Sequence, residues 1–184
     1  MSQLSNDLRR SAIIIAPSAY DALVQHMTSS PTAEVCGVLL GTKAAGGTQI
    51  HSYRSLRNVA PDPLHHFALD PQEWIHCCYQ ERELLGLFHS HPMTPALPSI
   101  ADLQQLPEFA AMLSVYLIGT LLPSPLHNDH IKHNDCPDQR QANQADLSII
   151  PINAYYIQKQ LSPSAAPAPS YHLQSAQLNI SDPF

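Results

Sequence analysis

The chain has 184 residues, a length that fits one domain with a sizeable core. Apolar residues make up 44% of it, and no apolar run approaches the roughly 20 residues of a membrane-spanning helix, so we expect no membrane partner. With 9 basic and 15 acidic residues the formal net charge is −6, which disfavours a non-specific phosphate-binding surface and hence a nucleic-acid partner.

Residues 1–10 precede the first predicted element and are treated as an N-terminal extension. Arg9 and Arg10 stand before a short apolar run, an arrangement that raises the question of a secretion signal. This run, Ala12 to Ala16, is shorter than the about 7–15 apolar residues of such a signal, and sequence typical of a helix follows directly. We therefore expect no signal peptide and a cytoplasmic protein.

The first predicted elements are a strand, a helix and a hairpin. Residues 11–17 are typical of a short buried strand, and Ser18 is expected to cap the helix that follows. Residues 34–43 predict a continuous apolar strand, and residues 48–56 return from it after a Gly-Gly turn. The helix shows its buried face as apolar residues at positions i, i+3, i+4 and i+7: Tyr20, Leu23, Val24 and Met27.

A second helix is predicted to begin after Asp70. This aspartate is a good N-cap, Pro71 suits the first helical position, and Glu73 is expected to complete a capping box. Residues 84–91 predict another buried strand, which carries two histidines at its C-terminal end. Residues 99–106 indicate a short helix that stops at a proline.

The remaining elements are two strands separated by a polar segment. Residues 113–121 predict a central strand and residues 147–160 a further one, in which Pro151 suggests an edge position or a bulge. Between them, residues 123–146 indicate a long polar surface insertion. Residues 161–184 are a Pro/Ala/Ser-rich linker and a C-terminal tail, whose last part is either a strand or peripheral. The order of elements predicts an α/β fold with a mixed sheet covered by helices.

The strand at 84–91 is expected to place two imidazoles on one side. Side chains two residues apart on a strand face the same way, so His89 and His91 project together from its end. Ser99 is the expected N-cap of the next helix, and Asp102 lies one turn further on nearly the same side. Two imidazole nitrogens and one carboxylate oxygen leave one tetrahedral position for water, which is typical of a catalytic rather than a structural zinc site.

Residues 88–102 contain no general base to accept a proton from the attacking water, and Glu34 is the best candidate for that role. It is a lone carboxylate at the start of an apolar strand, where burying a charge is costly unless a nearby group needs it. A glutamate that faces the metal would take a proton from the attacking water and pass it to a leaving amine. Ser99 would then donate a hydrogen bond to the developing oxyanion.

These residues closely resemble the motif of the JAMM, or MPN-plus, metalloproteases. In that motif an early glutamate is followed by His-x-His, seven residues, Ser, two residues and Asp. The stretches EVCGVLLG, LRNVAPDP and HFALDP extend the resemblance to roughly residues 11–158, and it is greatest to the small stand-alone prokaryotic members. Every position of the motif is filled here, by Glu34, His89, His91, Ser99 and Asp102.

The resemblance implies a metalloprotease domain at residues 11–160, folded as a curved mixed sheet sandwiched by helices. It implies Zn²⁺ at the two histidines and Asp102, with Glu34 as general base and acid and Ser99 as the residue that stabilises the oxyanion. Known members cut peptide or isopeptide bonds after the C-terminal glycines of ubiquitin-like or sulfur-carrier proteins. The implied partner is therefore the C-terminal tail of such a protein, extended along a sheet edge.

Other functions stay open at this point. The motif specifies the bond-cleaving groups and not the recognition surface, so a general metal-dependent hydrolase of short peptides or small molecules is the second interpretation. A tail-binding scaffold module is the third, and the intact ligand set argues against it. A function like that of the related DNA-repair proteins of this fold is disfavoured by the net negative charge of the chain. Zinc is inferred from the ligand types, which suit other divalent ions as well.

Several further residues have a functional and a structural interpretation, and the structural one is favoured for each. Cys36 shares a strand face with Glu34, but we expect a small buried thiol. His65 and His66 indicate an ordinary loop, and Trp74 a packing anchor. Four cysteines without a CxxC pair indicate free thiols rather than disulfides. We expect a solvated loop rather than a second metal site at one polar group: His127, Asp129, His130, His133, Asp135 and Cys136.

Overall fold

A computed structural model describes residues 12–44, 47–123, 150–160 and 170–181 of the chain. The elements in these ranges, in chain order, are β1 (Ala12–Ile15), α1 (Pro17–Ser29), β2 (Cys36–Ala44), β3 (Gly47–Leu56), α2 (Pro71–Gln80), β4 (Leu84–His91), α3 (Ile100–Gln105), α4 (Pro107–Ala110), β5 (Val115–Thr120), β6 (Ile152–Gln160) and β7 (Ser170–Ile180). The predicted polar insertion lies almost entirely outside the described residues. Within the described ranges, no helix is both long and apolar enough to cross a membrane.

The seven strands form one mixed sheet that closes on itself in the order β1-β3-β2-β4-β5-β6-β7. Strand β1 runs parallel to β3 and β7, β4 runs parallel to β5, and the remaining pairs are antiparallel. The mixed α/β fold is confirmed, and the curved sheet closes on itself. Closure gives each described strand two neighbours, so the free edge expected for an extended substrate tail is not found among them.

The C-terminal strands account for this closure. Residues 170–180, which the sequence left open as strand or tail, form β7, which pairs with β6 on one side and β1 on the other. The sheet therefore includes part of the segment assigned above to the C-terminal tail. Pro151 precedes β6, and its carbonyl accepts from the Thr120 N–H at 3.0 Å. Since β6 has neighbours on both sides, the edge position suggested by Pro151 is wrong.

Two of the expected helix caps differ from the prediction. Helix α1 begins at Pro17, and its N-cap is Ala16, so Ser18 lies inside the first turn rather than at the cap. A proline at the first helical position has no N–H to satisfy and fixes a helical φ, so the helix starts there without a side-chain cap. Asp70 caps α2 as predicted, but the Glu73 carboxylate accepts from the Arg57 N–H at 2.8 Å. The Asp70 N–H donates instead to the Arg57 carbonyl, which leaves no partner for a capping box.

Two apolar cores lie on the two faces of the strands. In β5, Val115 and Leu117 belong to the core that α1 covers, whereas Tyr116 and Ile118 belong to the core that the other helices cover. This alternation follows from the two-residue repeat of a strand, and both faces are apolar because both are buried. The second core matters for function, because its face carries the two histidines of β4.

Candidate metal centre

Strand β4 delivers both histidines to a buried position. It lies between β2 and β5, and its residues 85–91 are all buried. His89 is 0% exposed and His91 is 4% exposed. The His89 ring stacks on Phe67, with 4.6 Å between ring centroids, and meets Tyr116 edge-on at 5.3 Å. These aromatic neighbours fix the plane of the imidazole and exclude water from its faces.

Asp102 is brought to the histidines by the start of α3. The Asp102 N–H donates to Ser99 Oγ at 3.1 Å, and the Ser99 N–H donates to Asp102 Oδ2 at 2.7 Å, so the expected N-cap forms and is part of a capping box. The same carboxylate places Oδ1 3.2 Å from His89 Nε2 and Oδ2 3.4 Å from His91 Nε2. The cap thus sets the direction of the aspartate side chain.

The three side chains have the geometry of a metal ligand set. Their ligand atoms lie within 4.8 Å of one another, and the two Nε2 atoms are 2.9 Å apart. Tetrahedral ligands about 2.0–2.1 Å from a zinc ion are separated by roughly 3.3 Å, close to the spacings found here. Two imidazoles and a carboxylate are ligands that zinc and related divalent ions accept, so the residues fit a metal ion.

A hydrogen bond orients one ring for a metal, and burial keeps the other ring neutral. His91 Nδ1 lies 2.9 Å from the Pro95 carbonyl, which can only accept, so Nδ1 carries the proton and Nε2 presents its lone pair to the centre. Burial lowers the pKa of His89 and favours the neutral ring. For His91, burial acts in the same direction but is outweighed by Asp102 and the Pro95 carbonyl, so its pKa is raised. Burial opposes ionisation of Asp102, yet the two imidazoles beside it hold the pKa of this carboxyl group far below the usual range.

Glu34 lies next to this ligand set on the neighbouring chain segment. Cys36 pairs with His89, and the Ser90 N–H donates to the Val35 carbonyl at 3.0 Å, so the antiparallel register places Glu34 opposite His91. Glu34 is 6% exposed, and burial, opposed by the His91 charge and reinforced by that of Asp102, raises its pKa to about 7. A carboxyl group with such a pKa can exchange a proton near neutral pH.

Ser99 lies at the surface, at the cap of α3, and it is linked to the ligands through Asp102. Its hydroxyl accepts from the Asp102 N–H, and an accepting hydroxyl keeps its own proton for donation. The structure therefore brings His89, His91 and Asp102 together, with Glu34 beside them and Ser99 at their rim.

Sequence reasoning missed Ser90, the residue between the two histidines. Its Oγ accepts from the Val35 N–H at 3.0 Å, and its own N–H donates to the Val35 carbonyl at 3.0 Å. These two bonds join β4 to the segment that carries Glu34. A hydroxyl residue at a buried strand position is the signal that points to it, because such a hydroxyl needs a partner.

The other flagged residues have structural roles where they are described. Cys36 is fully buried, and burial is the main cause that raises the pKa of its thiol to about 12, so it stays neutral. His65 pairs with Asp62 at 2.9 Å in an exposed loop. Trp74 packs edge-on against Phe109, as a packing anchor does. Free thiols are found at Cys36, Cys77 and Cys78, whereas the polar group at 127–136 lies outside the described residues.

The chain is similar to one protein family and to several characterised proteins. The family of prokaryotic homologs of the JAB domain matches residues 16–132. A desampylase of Pyrococcus furiosus is 32% identical over 107 residues, which are 56% of this chain and 72% of that protein. A desampylase of Haloferax volcanii is 31% identical over 100 residues, 50% of this chain and 70% of that protein.

A third relative matches over a shorter stretch, and one solved structure has a similar fold. A probable TtuB-protein conjugate cleaving protease of Thermus thermophilus is 38% identical over 65 residues, 33% of this chain and 44% of that protein. The solution structure of protein DSY2949 from Desulfitobacterium hafniense matches with a TM-score of 0.60 at 22% identity, and the match covers 93% of this chain and 94% of that one. This likeness supports the arrangement of strands and helices described above.

Proposed function

Because the chain belongs to the family of prokaryotic homologs of the JAB domain, we propose that it is a metal-dependent isopeptidase or peptidase that cleaves after the C-terminal glycines of a ubiquitin-like or sulfur-carrier protein. The observation that carries this proposal is the convergence of two imidazoles and one carboxylate, with a second carboxylate beside them. The names of the relatives, desampylase and conjugate-cleaving protease, describe activities on protein conjugates.

Zinc is the proposed metal, held by His89, His91 and Asp102. Two nitrogens and one oxygen from protein leave a coordination position open, as in catalytic zinc sites. When bound there, zinc would supply Lewis-acid chemistry, lowering the pKa of a water ligand and polarising the scissile carbonyl. The Pro95 carbonyl, as partner of His91 Nδ1, keeps this ring oriented for coordination.

Glu34 is the proposed proton carrier. Its carboxylate takes a proton from the attacking water as the oxygen adds to the scissile carbonyl carbon, and it returns that proton to the leaving amine as the carbon–nitrogen bond breaks. A pKa raised to about 7 suits both transfers, because the group can accept and release a proton near neutral pH. Ser99 is the proposed donor of a hydrogen bond to the oxyanion that forms between these steps.

The burial of the ligands favours a thin, flexible substrate. His89, His91 and Asp102 are at most 5% exposed, so a bulky side chain next to the scissile bond has little room. A tail that ends in glycines has no side chains there and reaches the centre as bare backbone. Since the described strands have two neighbours each, we place the tail along the loop between β4 and α3 instead of along a strand edge.

We also place the protein in the cytoplasm. Cysteines 36, 77 and 78 are free thiols, and free thiols are typical of compartments in which glutathione and thioredoxin keep them reduced.

The test is to assay purified zinc-loaded protein on a ubiquitin-like protein fused through its diglycine tail. We expect cleavage after the second glycine, and we expect Glu34→Gln to retain zinc but to reduce kcat by about 10²–10⁴-fold, the usual contribution of general acid–base catalysis. Mass spectrometry identifies the cut, and elemental analysis measures the zinc.

Glu83→Gln is the matched control, since it makes the same change just before β4, at the opposite end of that strand from the histidines. It should leave kcat unchanged. Full turnover by Glu34→Gln would remove Glu34 from the reaction, and equal cleavage of unrelated peptides by the wild type would contradict the substrate class.

A further inference from the structure

Glu34 lies outside the regular strand ladder, because β2 begins two residues later, at Cys36. Its main chain is held instead by the loop between β3 and α2, residues 57–70. The Glu34 N–H donates to the Pro63 carbonyl at 2.6 Å, and the Glu34 carbonyl accepts from Asn58 Nδ2 at 2.8 Å. Both backbone groups of the proposed proton carrier are therefore bound by one loop.

Asn58 uses the full hydrogen-bonding capacity of its amide. Nδ2 donates to the carbonyls of Glu34 and His66, at 2.8 and 3.0 Å. Oδ1 accepts from the N–H groups of Ala60 and Ala68, both at 2.9 Å. A primary amide has two donor hydrogens and an acceptor oxygen with two lone pairs, so all four positions are filled. This pattern also fixes which way the amide is oriented.

Three of these bonds stay inside the loop, and one leaves it for Glu34. The bonds to His66 and Ala68 hold the two arms of the loop together, and the bond between the Val59 N–H and the Ala68 carbonyl at 2.8 Å adds to them. At the base of the loop, the Arg57 guanidinium pairs with Asp70. The fourth bond ties Glu34 to this braced loop, because the backbone N–H and carbonyl of Glu34 bond to the loop and not to a neighbouring strand.

We propose that Asn58 is a positioning residue, which fixes the main chain of Glu34 so that its carboxylate reaches the reacting water opposite His91. The inference rests on the proposed function and names a residue that the reaction requires beyond the motif. Asn58 acts through Glu34, and none of its four hydrogen bonds goes to a proposed metal ligand. A displacement of about 1 Å in a reacting group is enough to lower the rate by about 10²-fold. Loss of the hydrogen bond between Asn58 and the Glu34 carbonyl should therefore lower kcat more than it changes KM.

The informative variant is Asn58→Asp. Its Oδ1 still accepts from Ala60 and Ala68, but its second oxygen faces the carbonyls of Glu34 and His66 and cannot donate to them. On the diglycine-tailed fusion we expect kcat to fall by about 10²-fold, with KM within about twofold and zinc content equal to the wild type. A merely structural role would lower zinc content and the folded fraction together with the rate.

Two further variants serve as comparisons. Asn179→Asp makes the same change on β7 and should leave kcat, KM and zinc unaltered. Phe67→Leu alters the same loop where its ring stacks on His89, and should reduce zinc retention rather than kcat at full loading. If Asn58→Asp does not fold, Asn58→Ala is measured instead, because it removes all four hydrogen bonds without adding a charge. The same changes in kcat, KM and zinc content are expected for it.

The outcomes separate the two proposals. Wild-type protein that cuts no diglycine-tailed fusion overturns the proposed function, and the role of Asn58 with it. Wild-type protein that cuts the fusion, while the Asn58 variant keeps its kcat within about threefold, overturns the role of Asn58 alone. Loss of zinc in step with loss of kcat also overturns it, because the loop would then act on the ligands and not on Glu34.

Discussion

At the scale of single residues, Asp102 combines a local and a long-range role. Its backbone N–H and one carboxylate oxygen form the cap of α3 with Ser99, and both oxygens face the imidazoles of β4. The cap restricts the rotamer of the side chain, so little conformational entropy is lost when a metal binds. The ligand set is preorganised by an interaction between residues only three positions apart.

The two histidines give a prediction at this scale. Replacing both His89 and His91 by alanine removes two of the three proposed ligands and should lower zinc occupancy by at least about tenfold. Loss of a residue that only orients a metal ligand already lowers metal affinity by about 10- to 100-fold, so loss of two ligands should have at least that effect. Elemental analysis after dialysis measures the occupancy. His76→Ala, an exposed histidine on α2, is the control. Full occupancy in the double variant would contradict the assignment of the ligands.

At the scale of elements, helix α2 depends on a charged cap. Asp70 accepts from the N–H groups of Gln72 and Glu73, and it also pairs with Arg57 at the base of the loop that holds Glu34. The hydrogen bond from the Glu73 N–H, then the one from Arg57, lowers the pKa of Asp70. The cap therefore connects the helix to the loop at residues 57–70.

This lowered pKa predicts a pH dependence. A carboxyl group whose pKa is depressed in the folded state contributes stability above its unfolded pKa, near 3.9, and loses it as pH falls through the folded value. Denaturant midpoints measured from pH 6 to pH 3 should therefore fall more steeply for the wild type than for Asp70→Asn, which keeps a capping side chain but does not ionise. Parallel curves for the two proteins would show that Asp70 makes no such contribution.

At the scale of the whole molecule, closure of the sheet depends on its last strand. Strand β7 pairs with β1 over residues 12–15 and with β6 over residues 154–160. Without it, both neighbours would present unpaired N–H and C=O groups, which promote aggregation. Strand β7 also places Leu173 and Leu178 against the two apolar cores. It is thus a structural part of the domain that carries the metal centre.

Deletion of residues 170–184 tests this dependence. Partial burial of the apolar side chains of β7 and the lost strand pairing should together cost about 4 kcal/mol or more, which lowers Tm by roughly 8–16 °C for a protein of this size. Differential scanning calorimetry measures Tm, and light scattering reports aggregation. Deletion of residues 182–184 alone is the control. An unchanged Tm in the longer deletion would mean that β7 is dispensable.

The sequence by itself determined the parts of the site that depend on short spacings. The two-residue repeat of a strand placed His89 and His91 on one side, and the three-residue offset from Ser99 to Asp102 encoded the capping box, because both depend on backbone geometry within a single element. Strands β1–β6, helices α1–α3 and the Asp70 cap were predictable for the same reason, whereas α4 begins at Pro107, where the sequence predicted a stop. Only the tertiary structure decided which partner the Glu73 carboxylate takes, that β7 closes the sheet, and that Asn58 and Ser90 hold the segment around Glu34. These contacts join residues 16 to 165 positions apart, and no local periodicity records them, since they form only when the whole chain packs.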